Sequence, residues 1–153
     1  MRFKGIVVLI VAFLLVAPVM ASATVPPDGF RNLKWGSSPS ASLKKFSGPT
    51  SDGITMYLPA SDKAPSSLFE APVAEEGYSF VNGKFYSGSA WFDGRGTFEK
   101  VKAVLLKTYG QPSFANEKMN LWKWKWQGKQ IEVHLSYQSK FSRTTVTFVN
   151  NAI

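Results

Sequence analysis

Residues 121–137 have the sequence LWKWKWQGKQIEVHLSY, and this stretch decides the fold. Tryptophan alternates with lysine as far as Trp126, and apolar side chains then alternate with polar ones from Ile131. Successive side chains of a β-strand point to opposite faces, so the pattern predicts two antiparallel strands with one apolar and one polar face. A two-residue turn at Gln127-Gly128 would join them.

In that register apolar side chains meet apolar ones and lysines meet polar ones. The expected pairs are Trp124 with Ile131, Trp122 with Val133, Lys123 with Glu132 and Lys125 with Gln130. We therefore expect buried tryptophans and solvent-facing lysines. An aromatic platform for sugars, or a lipid interface, is the alternative interpretation of the same stretch.

A second hairpin is predicted around Asn82-Gly83, a dipeptide that supplies the positive φ angles of a type I′ turn. Tyr78–Val81 precedes the turn, and the returning strand continues from Lys84 to Phe92 with a bulge at Gly88. Phe30–Trp35 is expected to form a short strand or an extended entry, and further strands are expected at Ile54–Leu58 and Arg143–Asn150, the last with Val146 and Phe148 buried. Residues 59–67 are expected to form a surface loop.

Two helices complete the expected fold. Phe98, Val101, Leu105 and Tyr109 fall at helical spacing, which predicts an amphipathic helix over residues 98–109. A shorter helix is expected over Pro39–Phe46, capped by a serine and ended by Gly48-Pro49. The fold class is therefore α+β: a mostly antiparallel sheet of five to seven strands with two helices packed on one face.

Residues 1–23 have the order of an export signal. A short basic start precedes an apolar run over residues 5–17, and Ala21-Ser-Ala23 is an A-x-A cleavage site. We expect a signal peptide at 1–23, a single α+β domain at 24–153, and a periplasmic or secreted location without a membrane span after cleavage. A retained membrane anchor is the alternative, because about 20 apolar residues can cross a bilayer. The sequence contains no cysteine, which excludes disulfides and a cysteine-linked lipid.

Charge is distributed unevenly along a chain whose net charge is +8. Residues 24–83 carry five Lys/Arg and six Asp/Glu, whereas residues 84–153 carry eleven Lys/Arg and four Asp/Glu. This asymmetry favours anionic partners for the C-terminal half: an envelope protein, an anionic polymer or lipid head groups. Nucleic acid is an unlikely partner because it is scarce outside the cytoplasm. The alternative is a generally basic exported protein whose lysines maintain solubility.

The candidate binding residues follow from the alternation. Lys123, Lys125 and Lys129 are expected on the solvent face, with Lys140 and Arg143 close to them. Trp126, next to the turn, is the tryptophan ring expected to be exposed.

Residues suited to catalysis or metal binding are scarce. His134 is the only histidine; it should point with Glu132 away from the apolar face, and no nucleophile motif accompanies it. A zinc site built on one histidine and no cysteine would have only carboxylates to complete it. Asp93–Thr97 lacks the Gly-Lys-Ser/Thr ending of a phosphate-binding loop and is interpreted as a helix entry. We expect no enzymatic activity, no metal and no cofactor.

Two short motifs resemble those of a group of small exported bacterial proteins without an established activity. The motifs are Phe30-Arg-Asn-Leu-Lys-Trp-Gly36, an F-x-x-L-x-W-G start, and Tyr109-Gly-Gln-Pro112, a Y-G-x-P helix end; the likeness covers residues 30–148. The helix-G-x-P-strand order is also similar to small lipoproteins of the outer-membrane assembly machinery and to β-lactamase-inhibitor-like αβ repeats. The absent lipidation cysteine speaks against the first of these, and both similarities imply a protein-binding role.

These observations lead to two hypotheses about function. The first is a non-enzymatic periplasmic or secreted interaction module that binds an envelope macromolecule or anionic partner through the basic C-terminal sheet. The alternative is a small-ligand or carbohydrate-binding protein that uses exposed tryptophan side chains.

Overall fold

The computed structural model describes residues 24–63 and 65–153. The signal peptide predicted at residues 1–23 lies outside the described residues. In chain order the elements are β1 (Gly29–Phe30), β2 (Leu33–Lys34), β3 (Leu43–Ser47), β4 (Ile54–Pro59), β5 (Glu75–Val81), β6 (Lys84–Asp93), α1 (Arg95–Tyr109), β7 (Phe114–Asn116), β8 (Leu121–Lys125), β9 (Ile131–Gln138), a 3₁₀ turn (Ser139–Phe141) and β10 (Arg143–Asn150).

Eight of the strands form one sheet in the order β3-β4-β5-β6-β10-β9-β8-β7, and every neighbouring pair is antiparallel. Strands β1 and β2 form a separate short hairpin. The fold is therefore α+β with a mostly antiparallel sheet, as expected, but the large sheet has one strand more than the upper limit of seven.

Helix α1 covers the C-terminal half of the sheet. Phe98, Val101 and Leu105 are fully buried, and the helix contacts β6, β9 and β10. The ring of Phe98 lies 5.3 Å from that of Trp122, measured between centroids. The helix predicted at 98–109 is thus confirmed, because its apolar stripe has a sheet to pack on.

The N-terminal half of the same face is covered by irregular chain instead of a helix. Phe30, in the β1–β2 hairpin, packs 5.5 Å from the rings of both Tyr78 and Phe148. It sits directly on Gly88, where an added Cβ would lie 2.3 Å from the Phe30 ring. Trp35 stacks on a buried phenylalanine of β6 at 5.3 Å. These aromatic contacts supply the apolar cover that a second helix would otherwise provide.

A buried ionic contact fastens this cover to the sheet. Among the described residues, Glu76 is the only charged residue that the core buries, with 6% of its surface exposed. Arg31 donates through Nε to Glu76 Oε1 at 2.6 Å and also through Nη2, and Tyr78 donates its hydroxyl to Glu76 Oε2 at 2.8 Å. The same guanidinium donates to the carbonyls of Ser66 (2.7 Å) and Ser67 (3.1 Å). Arg31 therefore ties the first hairpin and the 66–67 loop to β5.

The helix predicted at Pro39–Phe46 is wrong. Residues 43–47 form strand β3, which pairs with β4 in the register Lys44 to Leu58 and Lys45 to Tyr57. A helix of eight residues has few internal hydrogen bonds to offset the free-energy cost of helix nucleation. Only Leu43 and Phe46 are large apolar residues in this segment, so pairing with β4 provides more contacts than a helix would.

The Asn82-Gly83 hairpin is confirmed, with φ angles of 49° and 76° at the two turn residues. The predicted bulge at Gly88 is displaced. Ser79 pairs with Ser87 whereas Phe80 pairs with Phe85, so Tyr86 is the extra residue. The bulge brings Phe85 onto the covered face together with Phe80.

The β8–β9 hairpin keeps the predicted faces but differs in register by two residues. Trp124 pairs with Val133 and Trp122 pairs with Leu135, and both tryptophans are buried. The connection spans residues 126–130, and the Lys129 N–H donates to the Trp126 carbonyl at 3.1 Å. A shift of two residues leaves each side chain on its original face, which is why the burial pattern was predicted correctly and the pairs were not.

Loss of the buried ionic contact is expected to destabilise the fold. Replacing Glu76 by Gln leaves the Arg31 guanidinium beside an uncharged partner, which should lower the free energy of unfolding by about 3 kcal/mol. Urea denaturation at neutral pH measures this value, with Glu70→Gln at an exposed position as the matched control. Equal stabilities for the two variants would contradict a structural role for the pair.

Gly88 and Gly96 provide a second test, of packing. Gly88→Ala forces a methyl group into the Phe30 ring and should cost about 1–3 kcal/mol. Gly96→Ala, in the first turn of α1 with open space around it, should stabilise by up to about 1 kcal/mol. The two melting temperatures are expected to move in opposite directions.

Candidate functional site

The face of the large sheet opposite α1 is not covered by a helix in the described part of the chain. By strand alternation it carries Lys123 and Lys125 of β8, Glu132 and His134 of β9, and many small hydroxyl side chains. Two of these hydroxyls, on Ser89 of β6 and Thr147 of β10, are hydrogen-bonded at 2.9 Å. We call this surface the open face.

Three of the predicted binding residues share one corner of the open face, defined by Lys123, Lys125 and Lys129 and called the basic corner below. Lys123 and Lys125 are two residues apart on β8 and so project on the same side. Lys125 and Lys129 line a shallow depression of about 440 Å³ at the β8–β9 turn. Lys125 Nζ lies 2.9 Å from Glu132 Oε1.

The other two basic residues lie elsewhere. Arg143 begins β10 and pairs with Gln138, which is six residues along β9 from Glu132, or about 20 Å. Its guanidinium lies 3.1 Å from the Glu75 carboxylate and 3.8 Å from that of Asp93. Lys140 lies in the 3₁₀ turn beside Arg143. The structure thus separates Lys140 and Arg143 from the basic corner, and Arg143 is already paired with acidic side chains.

Trp126, the ring predicted to be exposed, is half-buried. Its indole N–H donates to the Thr24 carbonyl at 2.7 Å, and its ring meets that of Tyr109 edge-to-face at 5.2 Å. The turn carries Trp126 back toward the end of α1 instead of outward. All five tryptophans of the chain are buried or half-buried.

His134 lies on the open face with Glu132, as strand alternation indicated. The His134 Nε2 is hydrogen-bonded to Glu132 Oε2 at 2.7 Å. The hydrogen bond from Lys125, and then that from His134, hold the pKa of the Glu132 carboxyl below its usual range. Lys125, Glu132 and His134 therefore form a continuous line of polar contacts across β8 and β9, with Lys123 beside His134 in register.

A groove on the open face, at the end of the sheet far from the basic corner, was not anticipated. Its volume is about 490 Å³, and its floor is formed by Met56 and Leu58 of β4 and Trp91 of β6. Phe46 of β3 forms one wall and is 65% exposed. The alternation around Trp91 could have indicated its position, because Ala90 and Phe92 on either side are fully buried.

The described residues contain neither a metal-ligand cluster nor a helix suited to a membrane. No group of three or more His, Asp or Glu side chains is arranged to hold a metal ion there. Within the same residues, none of the helical structure has the length and apolar character needed to cross a membrane.

Comparisons of the chain with protein-family models, with curated protein sequences and with solved structures gave no match.

The low pKa of Glu132 predicts a pH-dependent contribution to stability. A carboxyl whose pKa is lowered by folding stabilises the protein above the pKa of the unfolded chain, and this stabilisation is lost as pH falls through the folded value. Glu132→Gln should cost about 1 kcal/mol at pH 7. The difference from the wild type should shrink as pH falls below about 4.

Urea denaturation of both proteins between pH 7 and pH 3 measures this difference. Glu117→Gln, at an exposed turn, is the matched control and is expected to show no such trend. A stability difference for Glu132→Gln that stays constant over the whole pH range would contradict the ion-pair explanation.

Proposed function

We propose that this protein is a non-enzymatic interaction module that binds an anionic macromolecule of the cell envelope through the basic corner of its open face. The envelope location rests on the signal peptide predicted at residues 1–23. The observation that carries the proposal is the clustering of Lys123, Lys125 and Lys129 at one corner of the sheet. Glu132 is the acidic residue that contacts this cluster, through Lys125.

The immediate surroundings of the corner support an anionic partner. Lys125 is 63% exposed despite its contact with Glu132, so its ammonium group remains accessible. Exposed ion pairs contribute little to stability, and an incoming phosphate, sulfate or carboxylate could therefore share this ammonium at small cost.

An apolar contact is available at the edge of the same corner. Phe114 of β7 is the register partner of Lys123 and is 46% exposed. Facing residues of paired strands project from the same side of the sheet, so Phe114 and Lys123 offer an aromatic surface and a charge together. This combination suits a macromolecule with both apolar and anionic groups better than a small inorganic ion.

A binding role is proposed instead of catalysis because His134, the only histidine, is engaged by a carboxylate of its own strand. In the described structure the one hydrogen bond of its ring goes to Glu132, and no hydroxyl nucleophile donates to it. General base catalysis would require such a nucleophile within hydrogen-bond reach.

Neutralising the corner is expected to weaken binding to polyanions. The triple variant Lys123→Gln, Lys125→Gln, Lys129→Gln should lose about tenfold or more in affinity for a sulfated polysaccharide, since each lysine near an anionic surface contributes about 1 kcal/mol. The salt concentration that elutes each protein from an immobilised heparin column measures the change.

A control variant that loses the same number of lysines distinguishes the effect of the basic corner from the effect of net charge. Lys100→Gln, Lys107→Gln, Lys118→Gln removes three exposed lysines located on α1 and in the β7–β8 turn. This variant should elute close to the wild type. If both variants elute at the same reduced salt concentration, retention reflects total charge and the corner is not a binding site.

A further inference from the structure

We infer that the groove on the open face is a separate binding site for a small amphiphile with one apolar tail and one anionic head group. The groove lies between β3 and β6, whereas the basic corner lies on β8, about 20 Å away across the intervening strands. The two sites share no residue, so either can be present without the other.

A glycine under the groove leaves room for the aromatic ring that forms part of its floor. Gly77 of β5 lies between Leu58 and Trp91, and an added Cβ there would be 3.0 Å from Trp91 Cη2. The missing side chain at Gly77 therefore lets the indole lie against the sheet. The resulting surface joins the ring of Trp91 to the side chains of Leu58 and Met56, the last 37% exposed.

The walls are also largely apolar. Phe46 stands on the edge strand β3, and Pro59 at the end of β4 and Pro65 in the segment that follows also line the groove. A volume of about 490 Å³ lies within the range of roughly 300–1,000 Å³ that is typical of small-molecule sites. An apolar tail would bury these exposed side chains, and this burial is the driving force of binding.

The charged rim selects the head group. Lys44 and Lys63 flank the groove, and the two acidic residues that also line it are both paired: Glu75 with Arg143 at 3.1 Å and Glu76 with Arg31. Lys44 contacts Asp62 at 3.5 Å, but the Asp62 side chain is 98% exposed, so this contact is weak and easily exchanged. An anionic head can therefore be bound by two ammonium groups, whereas a neutral sugar head would gain no ionic interaction with them.

Fluorescence quenching by 8-bromooctanoate tests the site, because bromine quenches a tryptophan that it contacts. Trp91 lines the groove, and the other four tryptophans lie outside its lining. We expect saturable quenching in the wild-type protein, loss of most of that quenching in Trp91→Phe, and no saturable quenching in Met56→Glu, which places a carboxylate on the floor. Circular dichroism confirms that both variants are folded.

Head-group selectivity is tested by competition. Octanoate should displace the brominated probe, and octyl glucoside, which has the same tail and a neutral sugar head, should do so at least about tenfold less well. The double variant Lys44→Gln, Lys63→Gln should weaken octanoate binding to a similar degree, while Lys123→Gln, Lys125→Gln, Lys129→Gln should leave it unchanged.

The inference is overturned by any of three results: quenching that does not saturate, quenching that is equal in Trp91→Phe and wild type, or equal competition by octanoate and octyl glucoside. The last result would favour a site that recognises only the tail or a sugar. Because the basic-corner variant is measured in the same assay, failure of this site is distinguishable from failure of the polyanion site.

Discussion

The ionic contact between Arg31 and Glu76 is the interaction on which the covered side of the sheet depends. Eight strands at about 4.8 Å spacing make a sheet about 40 Å wide, whereas one helix is only 10–12 Å across. Helix α1 therefore covers one half, and aromatic side chains on irregular chain must cover the other. The β1–β2 hairpin has only two residue pairs of its own, and Arg31 holds it and the 66–67 loop in place by bonding at once to Glu76 and to the 66–67 carbonyls. Burial, and then the bond to Glu76, raise the pKa of Tyr78, so this hydroxyl stays a donor to the carboxylate.

Helix α1 and the aromatic segments all lie on one face of the sheet, so the open face has no such cover in the described residues. Its centre, on β6 and β10, carries small hydroxyl side chains, and the larger chemical groups lie toward the two ends of the strand order. The basic corner offers ammonium groups beside the exposed Phe114, and the groove offers an apolar floor with lysines on its rim. The strongly positive C-terminal half does not form one continuous basic surface. Several of its lysines lie on α1, and Arg143 is paired with Glu75 and Asp93.

Local patterns predicted the elements whose stability is local or whose partners are close in sequence. The Asn82-Gly83 turn, the apolar stripe of α1 and the alternation in β8, β9 and β10 all specify structure within about 20 residues. Residues 39–46 were mispredicted because their state depends on β4, which offers a strand to pair with, and not on their own weak helical pattern. The half-burial of Trp126 depends on Thr24, a residue 102 positions away in the chain to which its indole N–H bonds. Long-range contacts of this kind leave no periodic signal.

The sequence by itself determined which side chains of each strand share a face, since alternation follows from backbone geometry and holds even when the register shifts by two residues. It thus placed Trp122 and Trp124 inside and Lys123 and Lys125 outside. Only the tertiary structure decided which lysines lie together, where Arg31 finds its carboxylate, and that Met56, Leu58 and Trp91 meet over Gly77. The reason is physical: alternation is a property of one strand, whereas a site requires a strand order, and that order is set by burial of the whole sheet.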